Sequence, residues 1–289
     1  MSAGGTVRAW LPYDDIEVPA GVAVDVYDGD GGLPASIDEV EVYVVPYMTG
    51  ARDKQLMSRM PRLRLAQTLT AGVDAYLPFV PDGVTLCNAR GVHDASTAEL
   101  AVGLTIAAQR GLPDFVRAQA EGRWAPDRYL SLADQTVLLV GYGSIGAAIE
   151  RRLLPFECEV LRVARSARDG VAGIADIGEL LPRADVVVLI LPMTDETVGL
   201  VDKAFLAQMR DGALLVNVAR GPVVDTEALV AEVASGRLRA ALDVTDPEPL
   251  PAGHPLWTLP GAIDTPHVGG DTRAIHTRPK RLVHPQLRR

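Results

Sequence analysis

Residues 136–154 read TVLLVGYGSIGAAIERRLL. The apolar run Thr136–Val140 passes directly into the pattern Gly-x-Gly-x-x-Gly, and a helix-forming segment follows. Between a strand and a helix this pattern has a physical purpose. The first glycine permits a tight turn, the second lets the backbone approach a pyrophosphate, and the third lets helix and strand pack closely. The stretch therefore predicts a dinucleotide-binding turn built from Gly141, Gly143, Ser144, Ile145 and Gly146.

Apolar and helical segments alternate on the C-terminal side of this turn. Several of the apolar segments are continuous runs, which is typical of strands buried on both faces of a sheet. This alternation predicts a parallel, doubly wound α/β sheet. Its predicted strands are Thr136–Val140, Val160–Ala164, Val186–Leu191, Ala213–Asn217, Arg239–Asp243 and Ala262–Asp264, and its predicted helices are Ile145–Leu154, Lys203–Met209 and Thr226–Ser235, the last capped by Asp225 and Gly236.

The N-terminal third contains shorter β-branched segments that are separated by glycine, proline and aspartate. They predict the strands of another, smaller α/β domain. A predicted helix, Ser96–Arg110, leads from this domain into the dinucleotide-binding region. The predicted strands of the smaller domain are Val7–Leu11, Val22–Tyr27, Val40–Val45, Leu63–Leu69 and Val84–Cys87.

The composition argues against several classes of protein. The 289 residues include 37 acidic and 28 basic side chains, so the net charge is −9 and there is no basic excess for binding nucleic acid. The longest apolar run, Val186–Met193, is too short to span a bilayer, and the N-terminus lacks a secretory pattern. Cys87 and Cys158 indicate neither a disulfide framework nor a metal site. We expect a cytoplasmic protein that binds no metal, membrane or nucleic acid.

The end of the predicted strand Val160–Ala164 bears on the choice of coenzyme. Sites that prefer NAD carry an acidic residue there, which accepts a hydrogen bond from the ribose 2′-hydroxyl. This sequence has Ala164 at that position, followed by Arg165, Ser166 and Arg168. Guanidinium groups attract a 2′-phosphate, whereas a carboxylate repels it. We predict a preference for NADP over NAD, with the alternative that both arginines are merely solvated.

Three loops that follow predicted strands carry the side chains needed for acid–base chemistry on a 2-oxo acid. Ligands of doubly wound sheets lie beyond the carboxyl ends of the strands. An imidazolium can donate a proton near neutral pH, a neighbouring carboxylate favours that charged form, and a guanidinium suits a substrate carboxylate. The loops read NVARG at 217–221, DVTDPEP at 243–249 and DTPHVGG at 264–270, and they contain Arg220, Glu248 and His267.

These segments resemble the D-isomer-specific 2-hydroxyacid dehydrogenases, which include phosphoglycerate dehydrogenases and glyoxylate/hydroxypyruvate reductases. The similarity extends from about Leu69 to Thr272, and it also includes LPMT at 191–194, VVD at 223–225 and HPLW at 254–257. It implies a two-domain enzyme with its substrate in the cleft between domains. The dinucleotide-binding, Rossmann-type domain would be 98–271, and a flavodoxin-like substrate domain would combine 1–97 with 272–289.

The resemblance further implies roles for single residues in the reduction of a small 2-oxo acid. Arg220 would bind the carboxylate and carbonyl oxygen of the substrate, Glu248 would pair with the histidine, and His267 would be the general acid/base. The substrate carboxylate would also be held by backbone N–H groups of Ala71, Gly72 and Val73. The remaining histidines are interpreted as structural: His93, His254, His276 and His284.

Coenzyme and partner contacts follow from the same resemblance. Asp243 would meet the nicotinamide carboxamide, and Pro192, Thr197 and Ala219 would complete the coenzyme site. Hydride transfer would then run between NAD(P)H and the 2-oxo acid, or from the matching D-2-hydroxy acid to the oxidised coenzyme. A homodimer is implied, formed through the segment around Ala101–Trp124.

Other functions are weighed against this one. A formate dehydrogenase is disfavoured because glutamine is expected where Glu248 stands, and a phosphite oxidiser because lysine is expected where Ala71 stands. From a different class, a nucleotide-sensing corepressor has the same fold but binds protein partners. The complete set of Arg220, Glu248 and His267 favours the enzyme.

The C-terminus departs from the family. A helix is expected to start within Asp271–Arg278, but Pro279 and Pro285 are predicted to interrupt it. The sequence also ends at Arg289, earlier than the resemblance implies.

Overall fold

The chain forms two compact units, each with its own sheet. The structure is a computed structural model that describes residues 6–287. The first unit comprises the described residues up to His93 and those from Thr272 onward, and the second unit is Asp94–Asp271. This division falls at the start of a long helix, four residues before the predicted boundary between residues 97 and 98.

Within residues 6–287 the chain forms twelve strands and eight α-helices. The strands of the first unit are β1 (Val7–Leu11), β2 (Val22–Val26), β3 (Val40–Val44), β4 (Leu65–Gln67) and β5 (Thr85–Cys87). Those of the second unit are β6 (Thr136–Val140), β7 (Glu159–Ala164), β8 (Ala172–Gly173), β9 (Val186–Leu189), β10 (Leu214–Asn217), β11 (Arg239–Leu242) and β12 (Ala262–Asp264). The helices are α1 (Ala51–Gln55), α2 (Asp94–Gln109), α3 (Leu112–Ala120), α4 (Ser144–Leu153), α5 (Ile177–Leu180), α6 (Lys203–Gln208), α7 (Thr226–Ala234) and α8 (Arg278–Gln286). None of these eight helices is both long and apolar enough to cross a bilayer.

The sheet of the first unit is parallel, with strand order β2-β1-β3-β4-β5. This is the flavodoxin-like order, which agrees with the flavodoxin-like domain that the resemblance implied. Successive side chains of a strand point to opposite faces, so β1 contributes to two cores. Trp10 packs on one face with the buried rings of Tyr27 and Tyr43, and Ala9 and Leu11 pack on the other with Val283 of α8. Both faces of this sheet are therefore covered.

The sheet of the second unit is also parallel, with strand order β12-β11-β10-β9-β6-β7-β8. β6 lies between β7 and β9, where the strand order reverses and ligands of such folds bind. Leu138 and Val140 point into one hydrophobic core, and Val137 and Leu139 point into another. Because both faces of β6 are covered, its sequence is an unbroken apolar run. The predicted Rossmann-type sheet is confirmed.

Most predicted elements agree with the structure to within two residues at each end. The Asp225 carboxylate accepts a hydrogen bond from the Ala228 N–H at 3.0 Å, and Gly236 follows α7 with φ +76°. Both predicted caps of α7 are therefore confirmed. Four elements were not predicted: β8, α1, α3 and α5. β8, α1 and α5 have only two to five residues, which carry too little hydrophobic periodicity to indicate a strand or helix. α3 has nine residues, and the prediction missed it as well.

The prediction that two prolines interrupt the C-terminal helix is wrong. A short 3-10 turn, Arg273–His276, precedes α8, and Pro279 lies in the first turn of α8. A proline there removes no intrahelical hydrogen bond, because the first N–H groups of a helix have no partner within it. Pro285 lies in the last turn, so α8 accommodates both prolines near its ends.

Candidate active site

The glycine turn that follows β6 needs glycine at two positions for packing. A Cβ atom at Gly141, where φ is +109°, would lie 2.3 Å from the Ile190 carbonyl oxygen. A Cβ atom at Gly146 would lie 2.5 Å from the carbonyl oxygen of Gly141. At Gly143, by contrast, a Cβ atom would meet nothing within 4 Å. The turn is thus tightly packed on the protein side and open at its middle glycine.

The open side of the turn adjoins the beginning of α4. Gly143 is the N-cap residue of this ten-residue helix, and Ser144 and Ile145 are its first two residues. The first N–H groups of a helix and the positive end of its dipole together favour an anion. The donors, the dipole and the free space beside Gly143 fit the pyrophosphate of a dinucleotide.

The loop after β9 lies beside this turn, because β9 and β6 are neighbouring strands. The Thr197 hydroxyl donates to the Pro192 carbonyl oxygen at 2.8 Å and accepts from the Thr194 N–H at 2.8 Å. One side chain therefore closes the loop 192–197 on itself. This places two predicted coenzyme contacts, Pro192 and Thr197, in one ordered turn.

The residues predicted to bind a 2′-phosphate follow β7 on the other side of β6. Arg165, Ser166 and Arg168 are all exposed. Arg165 Nη2 lies 2.6 Å from Oε1 of Glu196, which belongs to the loop 192–197. Arg168 Nη2 donates to the carbonyl oxygen of Tyr142 at 2.5 Å, and its guanidinium lies over the Tyr142 ring. Both cations are held at the carboxyl end of the sheet.

The sequence analysis missed a polar cluster at the hydroxyl end of Tyr142. The Tyr142 hydroxyl donates to Glu150, a carboxylate that also forms an ion pair with Arg162. The Arg162 guanidinium holds the pKa of the buried Glu150 carboxyl below its ordinary value. The hydrogen bond to Glu150 raises the pKa of the Tyr142 hydroxyl. Tyr142, the residue between the first two glycines of the motif, is thus fixed by Glu150, eight positions along the chain, which is itself paired with Arg162.

His267 and Glu248 come together in the second unit. Nδ1 of His267 lies 2.6 Å from Oε1 of Glu248, and their side chains are 33% and 42% exposed. His267 has φ +53°, in the left-handed region, and its N–H donates to the backbone oxygen of Asp243 at 2.8 Å. Because Nδ1 faces the carboxylate, Nε2 is the ring nitrogen left for a substrate.

Asp243 anchors the loop that carries His267. Its carboxylate is 3% exposed and accepts three hydrogen bonds, from the Thr265 hydroxyl at 2.6 Å and from the N–H groups of Val268 at 2.9 Å and Gly269 at 2.8 Å. A Cβ atom at Gly269 would lie 2.9 Å from Asp243 Oδ2. The sequence analysis assigned Asp243 to the coenzyme and missed this anchoring, which depends on residues more than twenty positions away. Its contact with the coenzyme stays a prediction.

The loop that carries Arg220 is fixed by Asn217 at the end of β10. Asn217 is 1% exposed; its side-chain oxygen accepts from the Ala219 N–H at 3.0 Å, and its side-chain nitrogen donates to the Arg220 carbonyl at 3.0 Å. Gly221 packs on the next loop, since a Cβ atom there would lie 1.9 Å from the Thr245 carbonyl oxygen. β10, β11 and β12 are neighbours in the sheet, so the three loops with Arg220, Glu248 and His267 lie at one edge.

The first unit contains the residues predicted to supply backbone donors to a substrate carboxylate. Carbonyl oxygens of this segment accept hydrogen bonds: that of Ala71 from Asn88 Nδ2 at 2.9 Å, that of Gly72 from Thr70 Oγ1 at 2.8 Å. The Val73 carbonyl accepts from the backbone N–H of Tyr76 at 2.8 Å. These bonds fix the peptide planes of the segment, and its role in binding substrate stays a prediction.

Three of the histidines that were interpreted as structural form contacts within the protein. His254 caps a 3-10 turn, Pro255–Trp257, by accepting from the Leu256 N–H. His93 is 6% exposed and its Nε2 lies 2.6 Å from the Leu69 carbonyl oxygen. His284 of α8 lies 3.2 Å from Glu17. The side chain of His276 lies outside the described part of the structure.

Asp264 at the end of β12 differs from Asp243 and Glu248 in its hydrogen bonding. Its Oδ1 is buried and is without a hydrogen-bond partner among the described residues. Burial raises the pKa of this carboxyl from 3.8 to about 6. Asp264 is therefore the acid of the candidate site whose charge changes in weakly acidic solution.

The parallel sheet, the glycine turn at its reversal point and the polar loops beside it define a Rossmann-type dinucleotide-binding unit of an oxidoreductase. The family profile described as D-isomer specific 2-hydroxyacid dehydrogenase, NAD binding domain, matches residues 102–269, more than half of the chain. The chain belongs to the D-isomer-specific 2-hydroxyacid dehydrogenase family.

Individual relatives agree with this assignment. The chain is 37% identical to the glyoxylate reductase/hydroxypyruvate reductase of Mus musculus over 235 aligned residues. The aligned region covers 76% of this chain and 72% of the mouse protein. A D-isomer specific 2-hydroxyacid dehydrogenase from Xanthobacter autotrophicus Py2, solved with NADPH and MES, is 29% identical with a TM-score of 0.80 and coverage of 98% and 95%. The NAD-dependent formate dehydrogenase from Staphylococcus aureus, solved with NAD, is 26% identical with a TM-score of 0.74 and coverage of 98% and 94%.

These findings confirm the enzyme interpretation at the level of the family, and they do not favour the corepressor alternative. They also support a nicotinamide coenzyme, since structural relatives bind NADPH in one case and NAD in another.

Proposed function

We propose that this protein reduces a small 2-oxo acid of the glyoxylate or hydroxypyruvate type to the D-2-hydroxy acid, using NADPH in preference to NADH, and catalyses the reverse oxidation. The observation that carries this proposal is the His267–Glu248 pair at 2.6 Å, on loops adjacent to that of Arg220. The mouse relative is named for the same substrates.

Each residue of the candidate site has its own role in the proposed reaction. The coenzyme supplies the hydride when bound. His267 holds a proton on Nε2 and delivers it to the carbonyl oxygen of the substrate, while Glu248 at Nδ1 orients the ring and stabilises its charged form. Arg220 binds the substrate carboxylate through its planar guanidinium. Asp243 keeps the His267 loop in place.

The preference for NADP(H) is supported by the charge distribution after β7. Ala164 ends the strand where NAD-preferring sites have an acid, and Arg165 and Arg168 lie exposed beyond it with Ser166. Two guanidinium groups favour a 2′-phosphate. We expect Arg165→Ala to raise the KM for NADPH about tenfold and that for NADH less than twofold.

A homodimer is proposed on the second unit. Apolar side chains are exposed along and after α3: Leu112 is 45%, Val116 64%, Trp124 96% and Leu130 47% exposed. Several exposed apolar side chains in one segment favour a protein interface there. The cytoplasmic location, and a substrate domain formed by 1–97 with 272–289, stay predictions from the sequence.

A spectrophotometric assay tests the proposal. Purified protein is mixed with NADPH or NADH and with glyoxylate, hydroxypyruvate, pyruvate or a bulkier 2-oxo acid. Oxidation of the coenzyme is followed as loss of the near-ultraviolet absorbance that only the reduced coenzyme has. We expect turnover with glyoxylate and hydroxypyruvate, and loss of turnover in His267→Gln with unchanged coenzyme binding. Absence of oxidation across the whole panel, or full activity of His267→Gln, would contradict the proposed function.

A further inference from the structure

The ion pair between Arg165 and Glu196 spans the glycine turn. Arg165 directly follows β7, and Glu196 lies in the loop that follows β9. Since β7 and β9 flank β6, a contact between these two residues crosses the carboxyl end of β6, where the turn begins. The pair therefore lies where the adenosine end of a dinucleotide would enter.

Arg165 and Glu196 both lie on segments whose backbone is fixed by hydrogen bonds. Glu196 belongs to the loop that Thr197 closes through its hydrogen bonds with Pro192 and Thr194. Arg165 directly follows β7. Near the end of that strand, the carbonyl oxygen of Val163 accepts hydrogen bonds from the N–H groups of Gly141 and Tyr142 in the turn. The 2.6 Å contact is thus made between fixed supports, although the side chains are 80% and 61% exposed.

A phosphate and a carboxylate compete for the same guanidinium. Both anions accept paired N–H donors from the planar fork of arginine, so Arg165 can satisfy one of them fully at a time. The ion pair is largely exposed, and exposed ion pairs are weak enough to exchange partners. The ribose 2′-hydroxyl of NAD(H) carries no charge, so it does not compete with Glu196 for the Arg165 guanidinium.

We propose that Glu196 is a specificity-determining residue that competes with the 2′-phosphate of NADP(H) for Arg165 and so lowers the discrimination between NADP(H) and NAD(H). The proposal rests on the proposed preference for NADP(H). It assigns to Arg165 two alternative anionic partners, one within the protein and one on the coenzyme. Arg168, which is held by Tyr142, acts as the second cation in both states.

Coenzyme binding tests this without any substrate. Dissociation constants for NADPH and NADH are measured from the fluorescence of the reduced coenzyme with the full chain and its variants. For Glu196→Gln we expect the Kd for NADPH to fall about three- to tenfold and the Kd for NADH to change less than about twofold. Asp195→Asn, which removes the neighbouring negative charge of the same loop, is the matched control and should leave both constants nearly unchanged.

The double variant Arg165→Ala/Glu196→Gln shows whether Glu196 acts through the arginine. In the Arg165→Ala background we expect Glu196→Gln to have no effect on the Kd for NADPH. The proposal is overturned if Glu196→Gln matches the control, changes both coenzymes equally, or keeps its effect without Arg165. Weaker NADPH binding in Arg165→Ala with no effect of Glu196→Gln refutes the role of Glu196 alone. Unchanged NADPH binding in Arg165→Ala refutes the NADP(H) preference and this inference together.

Discussion

Gly221 lies so close to Thr245 that a Cβ atom would come within 1.9 Å of the Thr245 carbonyl oxygen. The glycine follows Arg220, and Thr245 belongs to the loop that leads to Glu248. The two loops therefore pack backbone against backbone, which sets the spacing between the guanidinium and the His267–Glu248 pair.

We expect Gly221→Ala to be severely destabilising. The contact is with backbone, which cannot move aside as a flexible side chain can, so the loss should be at least about 3 kcal/mol in the free energy of unfolding. Turnover of any folded protein should fall as the loops separate. Chemical denaturation and a coenzyme-oxidation assay measure both effects. Gly32→Ala, at an exposed glycine with open space around it, is the control and should be near neutral; equal stability of the two variants would show that the loops are not packed as described.

Glu248→Gln should lower turnover while sparing coenzyme binding. Glutamine can still form a hydrogen bond with His267 Nδ1, but it carries no charge to stabilise the imidazolium. We expect kcat to fall about tenfold to a hundredfold. Asp246→Asn removes an exposed acid from the same loop and should retain most of the activity. Equal activity of Glu248→Gln and the parent protein would remove Glu248 from the proposed mechanism.

Asp243→Asn separates anchoring of the His267 loop from coenzyme contact. A single amide oxygen cannot accept from Thr265, Val268 and Gly269 together, so at least one buried N–H loses its acceptor at a cost of about 2 kcal/mol. We expect lower stability and a fall in kcat that exceeds the change in NADPH dissociation constant. Asp211→Asn, at an 88% exposed side chain, is the control. A variant with weak coenzyme binding but normal stability and kcat would show that Asp243 serves the coenzyme instead.

Asp264 should make stability depend on pH between about 4 and 6. Burial raises the pKa of this carboxyl to about 6, so the folded chain binds its proton more tightly than the unfolded chain does. Its contribution to stability is complete below the unfolded pKa and is lost as the pH rises through 6. Because the group is partly exposed, we expect a decline of about 1–2 kcal/mol. Denaturant unfolding at pH 4, 5, 6 and 7 should show this decline in the parent and a smaller one in Asp264→Asn; parallel profiles would contradict it.

The sequence was sufficient where short-range physics decides the structure. β6 and the glycine turn were predicted because an apolar run, a tight turn and a helix start each have local requirements. The order of Arg220, Glu248 and His267 behind strands could be derived from the same pattern. Their meeting at one edge follows from the parallel order of β10, β11 and β12.

Contacts between distant residues were beyond sequence reasoning. The Glu196 partner of Arg165 is 31 positions away, and the donors to Asp243 are 22 to 26 positions away. Nothing local distinguishes these acids from solvated loop acids. The error at Pro279 was local. Proline was interpreted as a helix breaker, although it is compatible with the first turn of a helix, where Pro279 lies.

The placement of α8 has a consequence for how the chain is made. Ribosomes release a protein from its N-terminus, so β1 to β5 and all of Asp94–Asp271 emerge before Val283 exists. Until then Ala9 and Leu11 lack one of the buried side chains that pack with them on their face of the sheet. The sheet that is synthesised first is consequently the last to be completed, after the nucleotide-binding half has had its whole sequence available for folding.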